Sequence, residues 1–316
     1  RVRFGAIKTC PVGLTRLDSW TFWILWLTLS ETNSFIVKNA SLQHAKLTHY
    51  KYETGGQRAA LSYGDAHLHL VDPGFAGRTE QAIDDATKNK VMRLLSNSVD
   101  YETSTQTIAL AKRYSPRVLA AIGVHPSTVM NTKDQRLDEF QRLIEENAGY
   151  VAAIGEVGLD GKYTQDEQVR KRQLEVFRFF LGLAERRGLP VVVHSRMAVD
   201  EVLRTLQDFR LPKVLLHWYD GPLDKLEVIR DRGYLISIGP AVFYSRAISQ
   251  VAANVALDMI SSETDGPVKY HGPFEGRLTQ PSFVIEVVQK LAEIKGLHID
   301  AVREAVWSNF QKLIPQ

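Results

Sequence analysis

The sequence predicts an α/β chain folded as a (β/α)8 TIM barrel, preceded by an N-terminal extension. Two observations predict it. Across residues 61–316, short apolar runs alternate with amphipathic helical stretches eight times, and such a barrel typically needs ~250 residues. Residues able to bind metal or move protons then recur at or just past the C-terminal ends of those runs. In a barrel those ends converge on one mouth, where active sites sit. A doubly wound open sheet is the alternative, and the placement of the polar residues favours the barrel.

The strands are expected, in order, at residues 63–70 (YGDAHLHL), 90–97 (KVMRLLSN), 117–124 (RVLAAIGV) and 150–157 (YVAAIGEV), then at 189–195 (LPVVVHS), 213–218 (KVLLHW), 234–239 (YLISIG) and 257–263 (LDMISSE). Near-continuous apolar runs such as VVV and LAAI are the mark of strands buried on both faces. The clearest helix lies between the fourth and fifth strands. Apolar residues recur there at Val169, Leu174, Phe177, Phe180, Leu181 and Ala184, and Gly188 is a stop signal.

Residues 1–60 read differently. They show no clear period and hold eight basic against three acidic side chains, whereas the remainder holds 31 against 33. The body therefore carries no overall basic field of the kind that drives non-specific nucleic-acid binding. The run Trp20–Leu29 is ten residues long, too short to cross a bilayer. Residues 1–60 are expected to be a disordered or non-native extension, with a signal-like segment or a membrane-surface contact as the alternatives. Cys10 is the single cysteine, which excludes an internal disulfide framework and cysteine-ligated metal clusters. A cytoplasmic protein is expected.

Any metal must then be held by imidazole and carboxylate. His67 and His69 are two apart on a predicted strand and so share a face. Glu156 follows a fully apolar run, where a lone carboxylate is costly unless paired or metal-bound. His194 ends VVVH, His217 ends VLLH, and Asp265 follows the last strand. Each has a structural explanation by itself: a hydrogen-bonded core histidine, a salt bridge, a turn aspartate. Six of them at five strand ends point to a metal site. The all-N/O set suits Zn, Mn, Fe or Mg. It is too large for one catalytic ion with an open position, so two ions sharing a bridging carboxylate are expected.

The segments DAHLHL, AIGVHP, AAIGEVGLD, VVVHSR, LLHW, SIGP and SETDGP, with a terminal WSNFQKL, resemble the TatD family of metal-dependent hydrolases, within the wider amidohydrolase-like barrels. The resemblance runs from Tyr63 to Leu313. The stretch HGPFEGRLTQPSFV is more similar to archaeal members than to the common bacterial form. The resemblance implies that His67, His69 and Asp265 hold a first ion, Glu156 bridges, and His194 and His217 complete the second site. It implies that Asp265 is the general base, that His125 helps bind the scissile phosphate, and that Arg196 lies near the same phosphate, a guanidinium being well shaped for it. Three positions depart from the family pattern: Ser127 stands where a second histidine is common, Gly266 precedes Pro267, and Gln280 precedes Pro281.

The activity expected is a TatD-like deoxyribonuclease acting on single-stranded DNA or strand ends, without a stable protein partner. Amide, lactone or aminoacyl-ester hydrolysis on the same barrel is the runner-up, since function lives in the loops around the site. A non-catalytic metal-binding scaffold ranks third. Trp218, Tyr219, Tyr163 and Phe243 follow strand ends and are candidates for stacking bases.

Overall fold

The computed structural model describes residues 62–131, 136–162 and 166–315. The expected extension over residues 1–60, with its apolar run and Cys10, lies outside the described residues, as does Tyr163. The described chain runs β1 (Tyr63–Leu68), α1 (Thr79–Lys88), β2 (Val91–Asn97), α2 (Tyr101–Tyr114), β3 (Val118–Ile122), α3 (Pro126–Asn131) and α4 (Leu137–Glu146). It continues through β4 (Val151–Gly158), α5 (Glu167–Arg187), β5 (Val191–His194), α6 (Val199–Leu206), β6 (Val214–Leu216), α7 (Lys225–Asp231) and β7 (Leu235–Ile238). It closes with α8 (Arg246–Asn254), β8 (Ile260–Ser262), α9 (Phe283–Lys295) and α10 (Ile299–Leu313). The strands pair in sequence order, each parallel to the next, so the fold is the expected TIM barrel.

All eight expected strands are present, most of them shorter than their apolar runs. The largest trim is in β8, where Leu257–Met259 forms a 3-10 turn before the strand begins at Ile260. Helix α5 has the expected stop: Gly188 takes φ 62° and its N–H returns to the carbonyls of Ala184 and Glu185, as a left-handed helix end does.

Two packed layers hold the barrel. Outward residues such as Ile154, Val157, Val191 and Val193 meet Phe177, Phe180 and Leu181 of α5 in the main core. Inward residues Ala66, Leu95, Ala121, Ala153, Val192, Leu215 and Leu235 form a second, narrower core. Several are alanine, and the space they leave is filled from below by Phe310, Leu313 and Ile314 at the end of α10. The plug is tight: a Cβ on Gly64 would lie 2.7 Å from the Phe310 ring.

Among the described residues, no β8–β1 ladder completes the ring as the other pairs do. Side chains and loop backbone join these strands instead. Ser262 Oγ donates to the Gly64 carbonyl at 2.9 Å. The fully buried Asp65 accepts from the Thr264 N–H at 3.0 Å, Asp265 N–H donates to the His67 carbonyl at 2.8 Å, and His69 N–H donates to the Gly266 carbonyl at 2.7 Å.

Candidate metal centre

Strand periodicity places half of the site. Val192 points into the barrel, so His194, two residues on, takes the same face at the mouth. Leu215 and His217 repeat the relation one strand over. The other half needs irregularity. Register shifts between Asp65 and Leu68 in β1, and between Ile154 and Val157 in β4, re-phase those strands so that His67, His69 and Glu156 reach the mouth although Ala66 and Ala153 already face inward. Gly158 is required where β4 meets β5: it has φ 146°, and a Cβ there would lie 2.0 Å from the His194 carbonyl oxygen.

The six expected ligands come together around Glu156. On one side, His67 Nε2 and His69 Nε2 lie 3.2 Å apart and each 3.3 Å from Asp265 Oδ1 and 3.4 Å from Glu156 Oε2. On the other side, His217 Nε2 and His194 Nδ1 lie 2.7 and 2.8 Å from Glu156 Oε1 and 3.2 Å from each other. Ligands ~2.0–2.1 Å from a tetrahedral ion are separated by about 3.3 Å, so the near-equal spacing of the first group fits an ion at its centre. His67 Nδ1 and His217 Nδ1 are buried without a hydrogen-bond partner. The other nitrogen of each ring, Nε2, faces the cluster, and imidazole nitrogens converging with carboxylate oxygens are a donor set that a divalent cation takes.

Hydrogen-bond polarity sorts the histidines further. His69 Nδ1 meets the Asn97 carbonyl at 3.0 Å; a carbonyl only accepts, so Nδ1 carries the proton and the Nε2 lone pair faces the cluster. His194 Nε2 meets the buried Asp160 carboxylate at 2.8 Å, which leaves the Nδ1 lone pair facing Glu156. His125 is set the other way. The Ser127 backbone N–H donates to His125 Nδ1 at 3.1 Å, so its neutral ring carries the proton on Nε2. That Nε2 lies 3.4 Å from Glu156 Oε1 and 3.3 Å from His194 Nδ1, beside the cluster and oriented as a donor.

Charge follows the same division. Burial alone would raise the Glu156 carboxyl, and the imidazoles of His125, His217 and His67 around it overcome this and hold it well below the usual range. Asp265 is also held low, because the hydrogen bonds of His67 and His69 outweigh its burial. Burial disfavours the His69 imidazolium, yet the bond to Asp265 and the charge of Glu156 raise it to about 9. His194 and His217 are raised against burial by their carboxylate partners. His125 alone is lowered, by burial, and stays neutral.

Several supporting residues escaped the sequence reading. Asp160 accepts from His194 and, through Oδ1, from the Lys162 N–H at 2.8 Å. Gln173 of α5 is buried; its Oε1 accepts from the Asp160 N–H at 3.2 Å and its Nε2 donates to the Pro126 carbonyl at 3.2 Å. It thus joins the loop bearing His125 to the loop bearing Asp160. Glu263, fully buried, lies 3.7 Å from His217 Nδ1. The signal for Asp160 was available: it stands four residues after Glu156, in the loop that follows β4. Arg196 is half-buried after β5, and its carbonyl accepts from the Gly161 N–H at 2.9 Å.

The stacking candidates divide. Tyr219 is 1% exposed and its hydroxyl donates to the Pro222 carbonyl, so it packs beneath its loop and offers no face to a base. Phe243 packs against the core and lies edge-on to Phe274. Trp218 is half-buried and stacks on Tyr270, ring centroids 5.6 Å apart.

Comparison with known proteins points to a family. Residues 64–315 match the model of the TatD related DNase family. The human deoxyribonuclease TATDN3 is 32% identical over 82% of this chain and 96% of its own length. An uncharacterized metal-dependent hydrolase of Methanocaldococcus jannaschii is 30% identical over 79% of this chain and 95% of its own. The crystal structure of YJJV, a TatD homologue from Escherichia coli, superposes with a TM-score of 0.74 at 29% identity, covering 80% of this chain and 98% of that one. A parallel barrel, a mouth lined by four histidines and two carboxylates, and a family match over nearly the whole described body lead to one conclusion: the chain belongs to the TatD family of metal-dependent hydrolases.

Proposed function

We propose that the chain hydrolyses DNA phosphodiester bonds with two divalent cations, acting on single strands or strand ends. The observation that carries the reading is the division of Glu156: one carboxylate oxygen faces His67 and His69, the other faces His194 and His217. His67, His69, Asp265 and Glu156 would hold one cation, and Glu156, His194 and His217 the other. Bound cations of this kind act as Lewis acids and lower the pKa of water towards neutrality. The name of the human relative, a deoxyribonuclease, supports the choice of bond.

The chain's own residues supply the rest. Asp265 is kept ionised by its two imidazole partners and takes the proton of the attacking water as general base. His125, neutral and protonated on Nε2, donates to a non-bridging phosphate oxygen, and Arg196 binds the same phosphate from the neighbouring loop. The Ser127 backbone holds the His125 ring in that donor form, which gives the position after Pro126 a role without a second histidine. The near-neutral body, 31 basic against 33 acidic side chains, gives little long-range pull on duplex DNA, and this supports strand ends or single strands as the substrate.

The test is an end-labelled single-stranded oligonucleotide incubated with Mg, Mn or Zn, with chelator, and with Asp265→Asn, beside an aminoacyl-ester substrate. Metal-dependent shortening of the DNA that the variant loses is the expected result. Intact DNA alongside a hydrolysed ester would overturn the nuclease reading and leave the hydrolase.

A further inference from the structure

Trp218 sits in an unusual place. It directly follows His217, and its backbone has φ 42°, a left-handed conformation that is an outlier for a bulky side chain. The conformation is held from inside the barrel: the Trp218 N–H donates to Glu263 Oε1 at 2.9 Å and to Ser237 Oγ at 3.1 Å. Both acceptors are fully buried. Strain that the surroundings enforce this firmly is a pointer to function.

The enforced conformation lays the indole on Tyr270, with 25° between the ring planes. Tyr270 is itself buried and fixed, its hydroxyl donating to the Thr264 carbonyl at 2.6 Å. Through that hydroxyl the stacked pair links the residue after His217 to Thr264, the residue before Asp265. Trp218 remains half-buried where Tyr270 is covered, so the outer partner of the stack is the one left partly open at the mouth.

We propose that Trp218, backed by Tyr270, is a base-stacking subsite for the nucleotide adjoining the scissile phosphate. The inference rests on the nuclease reading and deepens it, because it names an unstacked base as part of what is recognised. A base inside a duplex already has both faces covered. A base in a single strand or a frayed end can lie on the indole, and every base has a π-face to offer. This makes the subsite tolerant of sequence and selective for unpaired DNA.

The experiment compares two oligonucleotides of equal length, one of deoxythymidine and one abasic, with wild type, Trp218→Ala and Trp218→Phe. Loss of a stacked base weakens binding about 5- to 150-fold. Wild type should prefer the base-bearing strand by such a factor in KM. Trp218→Ala should lose most of that preference, and Trp218→Phe should restore much of it. Equal losses on both strands would overturn the proposal and make Trp218 a packing residue, as would a preference that survives Trp218→Ala. If wild type cleaves neither strand with any metal, the nuclease reading falls. Fluorescence anisotropy then decides the subsite alone: base-dependent binding lost in Trp218→Ala supports it, and equal binding overturns it.

Discussion

Asp160 and His194 meet at 2.8 Å through Oδ2 and Nε2, and this contact decides which nitrogen His194 presents to Glu156. A carboxylate behind a ligand imidazole fixes both tautomer and ring orientation, and losing such a partner typically costs 10–100-fold in metal affinity or activity. On the proposed two-cation reading, Asp160→Ala should weaken binding of a cation at His194 and His217 by about that factor while leaving one at His67 and His69 in place. Asp160→Asn, whose amide oxygen can still accept, should lose less. Calorimetric titration with Mn reads both sites, and two unaltered binding events in Asp160→Ala would show that His194 needs no such support.

Gln173 should matter through the two loops it joins. Gln173→Met keeps the volume and leaves the Asp160 N–H and the Pro126 carbonyl without their partner. Unpaired buried groups cost about 1–3 kcal/mol each. The expected outcome is a lower unfolding midpoint in urea together with a reduced turnover. Full turnover in a destabilised variant would confine Gln173 to packing.

Asp65 offers a stability test at the barrel seam. Burial, outweighing its hydrogen bonds from Thr264, pushes its carboxyl well above 3.8. A carboxyl raised in the folded state gives stability that is complete below the unfolded value and declines as pH rises towards the folded one. Asp65→Asn removes that decline, and its amide oxygen can still accept from the Thr264 N–H. Relative to wild type it should gain stability as pH rises above about 4, whereas Asp65→Ala should lose about 2 kcal/mol or more. Urea unfolding at pH 5 and pH 8 separates them, and equal damage from both variants at both values would refute the account.

A different pH dependence belongs to the metal centre. His69 is raised from 6.5 to about 9, so its protonated form stabilises the fold below pH 6.5 and that contribution disappears as pH rises through 9. Chelator-treated protein should lose thermal stability across this window. Protein loaded with Mn should not, because a ligand histidine is neutral throughout. Parallel melting curves from pH 6 to 9.5 for the two forms would contradict it.

The strands and the histidines and carboxylates gathered at the mouth were legible because both are local signals: an apolar run, and a histidine or carboxylate where the run ends. His194 and His217 needed only the two-residue period. Gln173 and Glu263 were not legible in the same way. Each acts through a partner brought near by the closed barrel, and in the sequence each is one more polar residue in a loop or on an amphipathic helix. Tyr219 misled for the complementary reason. Its position after a strand end is shared with Trp218 on one side, and only the turn that carries its hydroxyl to Pro222 decides that it faces inward.

The seam between β1 and β8 also sets an order of events during synthesis. Asp65 and Thr264 are 199 positions apart, and the residues beside them, His67 and Asp265, belong to the same half of the centre. A chain still emerging from the ribosome carries two imidazoles with no carboxylate from β8 to meet them. The barrel's inner layer also lacks Phe310 until α10 has appeared. A chain that has yet to make β8 thus holds only part of the cluster, which keeps the complete constellation from forming before the strands at both sides of the seam are present.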